Sequence, residues 1–313
     1  MDALLSTGFW FLVLTFTGVN VIFVMGLNLQ VGETGLLNFG HVAFMATGAY
    51  AMGLMLTHGV HVAIAIPAAL LAGALLGIVL GVPTLRLRAD YFAITTIAAG
   101  EILRTVILNE GDTTGGPQGL ISASGPWRGF NRDVLRFAED HFGWDLDRRV
   151  PLLVLTWAVA VVVGLFLLYV TRSPWGRVLR AVRENEEAAA AVGKAVFSYK
   201  LQALALGGAI GALAGVFFTF ASTTLYPENF LPIVTFTGFA ILILGGIGSY
   251  VGVTVGAVLI SFVVSGTRLI DFPIDPEKVA ALRFVIIGLV IMLFMAFRPQ
   301  GLLGKKEELH LGP

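Results

Sequence analysis

The residue types able to do chemistry in this chain gather in a few places. Between 173 and 193, Arg177, Arg180, Arg183, Glu184 and Glu187 are spaced to share one arc of a helix, with Val178, Val182, Ala189 and Val192 on the opposite arc. Ser173 followed by Pro174 suits the start of such a helix and Gly193 its end. An amphipathic helix of this kind either lies on lipid headgroups or docks a cytoplasmic partner. A second cluster, Asn28, Gln30, Glu33, Thr34, Asn38 and His41, is interleaved with Gly32, Gly35 and Gly40. It is either a turn with capping residues or a broken helix whose freed carbonyls and amides would meet a zwitterion. His41 alone reads as a hydrogen-bonded packing residue. Glu101 and Arg104 stand three residues apart, on one helix face, in an apolar segment. Each would cost about 2.5–3.5 kcal/mol at a bilayer centre, so mutual pairing and burial in protein are expected, either to fix the helix or to line a solute route.

None of these sets is catalytic. The five histidines show no metal spacing on one helix, cysteine is absent, and no G-x-S-x-G elbow occurs. The glycines before Lys305 lack the spacing and the following Ser or Thr of a phosphate loop.

The elements that must position these residues are membrane spans. Of 313 residues, 57% are hydrophobic and 13% charged, about half the charge of a soluble domain, and the 20 basic residues balance the 20 acidic ones. That excludes a disordered chain and a bulk basic surface for nucleic acid. A helix needs roughly 20 apolar residues to cross a bilayer. Segments 8–29, 36–56, 62–82, 91–108, 152–170, 199–221 and 281–297 qualify, the fourth as a span facing protein. Segments 234–247 and 251–265 are short and parted by Gly245, Gly246 and Gly248, which predicts a broken or re-entrant pair. The expected fold is an all-α polytopic membrane protein of about eight or nine transmembrane helices.

Basic residues set the orientation. No Lys or Arg precedes Arg86, which argues against a cleaved signal peptide. Arg86 and Arg88, the stretch from Arg172 to Lys194, and Arg298 with Lys305 and Lys306 all belong on the cytoplasmic side. An outside N-terminus and a down-and-up short pair satisfy all three. Loop 109–150 then lies outside with five Arg and seven acidic residues, long enough to form a small cap. Glycines repeat every fourth residue at Gly73, Gly77 and Gly81, at Gly207, Gly211 and Gly215, and at Gly248, Gly252 and Gly256, which predicts close helix crossings. The organisation expected is one transmembrane domain over 1–304 with a cytoplasmic tail at 305–313.

Several stretches carry a resemblance. Glu187-Ala188-Ala189, with Gly193 at the matching offset, resembles the EAA loop of ABC importer permeases, although the Ile and Leu-Pro that commonly follow there are not found at the usual places here. GLNLQVG at 26–32, TGLLNFGH at 34–41, GAY at 48–50, DYFAITT at 90–96, GGPQGL at 115–120 and RPQGL at 298–302 resemble, in family order, the LivM-type permease of branched-chain amino acid ABC importers. The resemblance implies a half-channel paired with a second related permease, two ATPase subunits inside that bind ATP and Mg, and a substrate-binding protein outside. This chain itself would carry no cofactor and no enzyme activity. Arg177, Arg180, Arg183, Glu184, Glu187 and Gly193 are then the expected ATPase-coupling residues. Asn28, Gln30, Asn38, His41, Thr95, Glu101 and Arg104 are the expected translocation-path candidates, and 115–119 an external loop or gate. A urea or short-amide ABC permease, a lone proton-coupled transporter using Glu101 or His41, and a structural scaffold are the alternatives.

Overall fold

A computed structural model describes residues 7–121, 125–142, 147–269, 285, 288–289, 292 and 301–303. The expected last span at 281–297, the residues Arg298, Pro299 and Gln300, and the tail with Lys305 and Lys306 lie outside the described residues, apart from isolated positions.

Among the described residues five helices are long and apolar enough to cross a bilayer. They are α1 (Thr7–Asn28, extended to Glu33), α3 (Val62–Thr84), α4 (Ala89–Asn109), α6 (Val150–Arg172) and α9 (Val196–Ala221). Helix α2 (Val42–Thr57) is apolar but shorter. The expected span at 36–56 loses its first six residues, where Asn38 Oδ1 accepts from Gly40 N at 3.0 Å and folds the chain before the helix starts. Helices α10 (Pro232–Gly245) and α11 (Tyr250–Leu269) form the expected broken pair, bent by 118°. Gly246 (φ 109°) and Gly248 (φ 81°) make the turn, in backbone conformations that side chains resist. Between the long helices lie α5 (Gly125–Phe142), α7 (Pro174–Glu184) and α8 (Glu186–Ala191). Strands β1 (Leu120–Ile121) and β2 (Thr224–Leu225) pair antiparallel, Leu120 opposite Leu225.

Helices α1 and α9 are the centre of the bundle, with 67% and 72% of their apolar windows buried, whereas α3, α4 and α6 bury less than a third and form its outside. Three buried hydroxyls are satisfied locally: Thr17, Thr156 and Thr171 each donate to the carbonyl four residues earlier. The glycine rows act as crossings, but not as one uniform stripe. Gly73 and Gly77 meet the α9 backbone around Gly208 and Leu204, while Gly211 and Gly215 face Phe44, Met45 and Ala49 of α2. Gly252 packs on Gly245. Gly248, expected to continue that last row, sits in the turn before α11.

Candidate functional site

Helix α1 does not end at Asn28. It widens into a buried π-helical turn, Leu29–Glu33, closed by Gly35 at φ 75°. The polar cluster around it is buried in this conformation. Asn28, Gln30, Asn38 and His41 are at most 2% exposed. Gln30 Nε2 donates to the Leu204 carbonyl on α9 at 3.2 Å, and its Oε1 accepts from Asn38 Nδ2 at 3.0 Å. His41 Nδ1 stands 3.2 Å from the same Oε1 and Nε2 stands 3.2 Å from the Phe23 carbonyl. A neutral ring carries one N–H, so it donates to one of the two. Asn28 Oδ1 accepts from Gly248 N at 2.9 Å, which joins the break after α1 to the break between α10 and α11. Thr235 Oγ1 accepts from Val42 N at 2.9 Å at the start of α2, a contact with no signal in the sequence. Four candidates for a solute path are thus buried and hydrogen-bonded inside the bundle in this conformation, with Asn28 Nδ2 left without a partner. Gln30→Leu leaves the Leu204 carbonyl, Asn38 and His41 short of a partner. At about 1–3 kcal/mol for a buried group left unpaired, the variant is expected to lose several degrees of thermal stability in detergent, read from the soluble monodisperse fraction after heating.

The basic helix departs from expectation in two ways. It is two helices, because Asn185 adopts an extended conformation (φ −156°, ψ 106°) and its Oδ1 accepts from Ala188 N at 2.9 Å, capping α8 afresh. Ser173 occupies the N-cap position, but its hydroxyl donates back to the Val170 carbonyl at 2.6 Å. Gly193 (φ 81°) does end α8: its N–H reaches the Ala190 carbonyl, and Lys194 N–H that of Ala189. The charged arc is also divided. Arg177, Glu184 and Glu187 are exposed, whereas Arg180 and Arg183 turn inward. Arg180 Nη1 donates to Glu33 Oε2 and to the Thr171 carbonyl, both at 3.1 Å, and Arg183 donates to the Gly32 carbonyl. Leu179 and Val182 seal this face, while Val192, expected on the buried side, is 73% exposed. Glu33, which sequence reasoning left among the turn residues, is thus the partner of the helix. A lone carboxylate between apolar runs was the signal for it.

A cavity of about 220 Å³ lies beside the clasp, bounded by Glu33, Arg172, Arg180 and Arg183 and by Gly248 and Tyr250 of the broken pair. The α10 end is capped from outside the pair: Leu302 and Leu303 donate to the Leu244 and Gly245 carbonyls at 2.9 and 3.1 Å, with Gly301 (φ 75°) against Gly246. Part of the RPQGL stretch is therefore a helix cap.

Glu101 and Arg104 pair as expected, Arg104 Nε lying 3.0 Å from both carboxylate oxygens. Burial in protein holds for Arg104, whose side chain is 16% exposed, and not for Glu101 at 41%. The surrounding helix is the reason. Only Phe92, Thr96, Gly100 and Ile107 of α4 are buried, and Tyr91, Ile94, Ile102 and Val106 stand out from this chain. Thr95 is half-buried, and its neighbour Thr96 supplies the backbone against which Gly40 packs. Segment 115–119 is a built turn, with Gly119 seated on β2 and the Tyr50 hydroxyl donating to the Leu225 carbonyl at 3.0 Å.

Comparison with known proteins agrees with this architecture. Residues 9–295 match the model of the branched-chain amino acid transport system permease component family. The chain is 35% identical to "High-affinity branched-chain amino acid transport system permease protein LivM" of Salmonella typhimurium over 92% of its length and 68% of the relative's. Identity to the protein of the same name from Escherichia coli K12 is also 35%, over the same shares. The "Probable branched-chain amino acid transport permease protein LivM" of Methanocaldococcus jannaschii is 28% identical over 94% of this chain and 93% of the relative. No solved structure matches. A bundle of apolar helices with one broken pair, matched along nearly its whole length, belongs to the LivM-type family of branched-chain amino acid ABC permease components, as a multi-pass membrane transport subunit.

Proposed function

We propose that this chain carries branched-chain amino acids into the cell as one permease of an ABC importer, fed by an external binding protein and driven by separate ATPase subunits that hold ATP and Mg. In this reading the N-terminus is outside, α7 and α8 lie in the cytoplasm, and a second related permease completes the channel against a face this chain leaves open, such as that of α4. The supporting observation is the division of the α7 arginines. Arg177, Glu184 and Glu187 face outward, available to a partner, while Arg180 and Arg183 grip Glu33 and Gly32 at the end of α1. A push on α7 therefore reaches the π-helical turn directly, and through Asn28 and Gly248 it reaches the broken pair. Rigid elements with two arrangements are what coupling between distant sites requires.

Pull-down of the tagged full chain from native membranes is expected to bring down two ATPase copies and a second permease. Transport by the purified chain alone in proteoliposomes would overturn the assignment. Glu187→Ala and Gly193→Val, the latter straining a φ of 81° at the α8 end, are expected to leave insertion intact and separate ATP hydrolysis from leucine uptake. Wild-type uptake in both variants would remove α8 from the coupling path.

A further inference from the structure

Loop 109–150 places five arginines on the side of the membrane that the proposed orientation makes external, against the usual charge bias. Four of them, Arg128, Arg132, Arg148 and Arg149, converge on one cavity of about 540 Å³ under α5. That volume falls within the range of about 300–1,000 Å³ typical of small-molecule sites. Among the described residues no carboxylate pairs with these guanidinium groups; the nearby Asp147 uses Oδ1 to accept from the Arg149 backbone N–H at 2.9 Å. Four like charges around one recess favour an anion there. Between them Asn131 donates from Nδ2 to the Arg148 carbonyl at 2.8 Å, while its buried Oδ1 has no donor. The floor is apolar: Phe16 of α1, Leu152 of α6, and Trp127 lying 5.1 Å from Phe220 of α9. Gly8 admits the Arg149 guanidinium, since a methyl there would strike it.

We infer that this cavity is a receiving site for a free neutral aliphatic amino acid on its way into the bundle. The guanidinium groups take the carboxylate, Asn131 Oδ1 takes the ammonium, and the aromatic and aliphatic floor takes the side chain. The inference rests on the substrate class and orientation proposed above. A recessed apolar floor suits a small molecule better than the convex surface of a protein. A simple anion would leave the Asn131 oxygen without a donor.

The test is binding of radiolabelled leucine to the purified full chain in lipid nanodiscs, with leucinol, which lacks the carboxylate, and 4-methylpentanoate, which lacks the ammonium, as competitors. Saturable leucine binding that leucinol does not displace is expected. Arg132→Gln with Arg148→Gln should weaken it about tenfold or more. Asn131→Leu should weaken leucine binding and leave 4-methylpentanoate binding unchanged, a selectivity change that a loss of folding would not produce. The chain has no cysteine, so Arg132→Cys gives a single thiol, which an impermeant maleimide should label on intact cells. Absence of labelling would overturn the inference through its orientation. Leucine import by the assembled transporter without leucine binding by the chain would overturn it and leave the proposed function standing. Failure of the assembled transporter to import leucine would remove the proposed function, and the inference with it. Unchanged leucine binding in the arginine variants, with capture of the external binding protein lost, would overturn it in favour of a protein-docking surface.

Discussion

Arg180→Ala is expected to cut leucine uptake per ATP hydrolysed by about an order of magnitude while the chain still inserts and still binds its ATPases. Arg180 holds Glu33 at 3.1 Å, and the carboxylate is 6% exposed against 38% for the arginine. Water at the Arg180 end screens the pair, so its worth is about 1–2 kcal/mol, below the roughly 3–5 kcal/mol lost when a fully buried pair is broken. Coupling free energies between sites are of similar size, about 1–3 kcal/mol or roughly 5–150-fold, so this clasp is strong enough to carry the link and too weak to hold the fold together. Arg180 also donates to the Thr171 carbonyl, which pins the corner between α6 and α7, so the alanine variant removes two contacts at once. Glu33→Gln isolates the charge: it keeps an acceptor for Arg180 and leaves the arginine where water reaches it. That variant should insert with at most a modest loss of stability, within about 1–2 kcal/mol, yet show much of the same uncoupling. In a double-mutant cycle on uptake per ATP, the two changes together should be little worse than Arg180→Ala alone. Additive losses would mean that the two residues act separately and that α7 does not reach α1 through this pair.

Five spans were legible because a bilayer demands long apolar runs, whereas 36–56 is a shorter helix and 281–297 lies outside the described residues. The broken pair was legible because Gly246 and Gly248 cannot continue a helix once they adopt positive φ. The end of α8 was legible for the same reason at Gly193. The inward turn of Arg180 and Arg183 was not. Helical periodicity sorts residues into arcs, but it does not say which edge of an arc meets the rest of the protein, and it runs straight through Asn185, whose extended backbone resets the phase. The polar cluster at 28–41 was visible as a cluster, and its meaning was not. Its distant partners, the Leu204 carbonyl and Gly248 N, lie more than 170 residues away along the chain, and only the crossing of α1, α9 and the broken pair brings them within reach. Glu101 and Arg104 show the reverse case. Their i,i+3 pairing follows from local geometry, while the enclosure expected around them depended on neighbours that α4 does not find in this chain.

Alanine at Gly48 or Gly215 is expected to damage the fold more than any other change considered, although alanine is the better helix former by about 1 kcal/mol. The decisive quantity is the space for one methyl group. A Cβ on Gly215 would lie 2.7 Å from Ala49 N and press on the Met45 carbonyl, and a Cβ on Gly48 would lie 2.6 Å from the Ala212 carbonyl carbon. The obstacles are backbone atoms of α2 and α9, which no side-chain rotation can clear, so the two helices must separate. Their separation would loosen the packing of Phe44, Met52 and Val216 and stretch the Thr219 hydroxyl contact to the Ala49 carbonyl, 3.2 Å in the intact bundle. Overpacking of an ordinary core costs about 1–3 kcal/mol; backbone pressed on backbone at the centre of the bundle belongs at or beyond the top of that range. Gly129, within α5, has nothing within 4 Å of the position a Cβ would take, so Gly129→Ala should be neutral or stabilising by up to about 1 kcal/mol. The same substitution thus has opposite signs at the two places. Heating the three variants in detergent and following the monodisperse fraction reads that difference directly, and Gly215→Ala as stable as Gly129→Ala would mean that α2 and α9 do not cross at backbone contact.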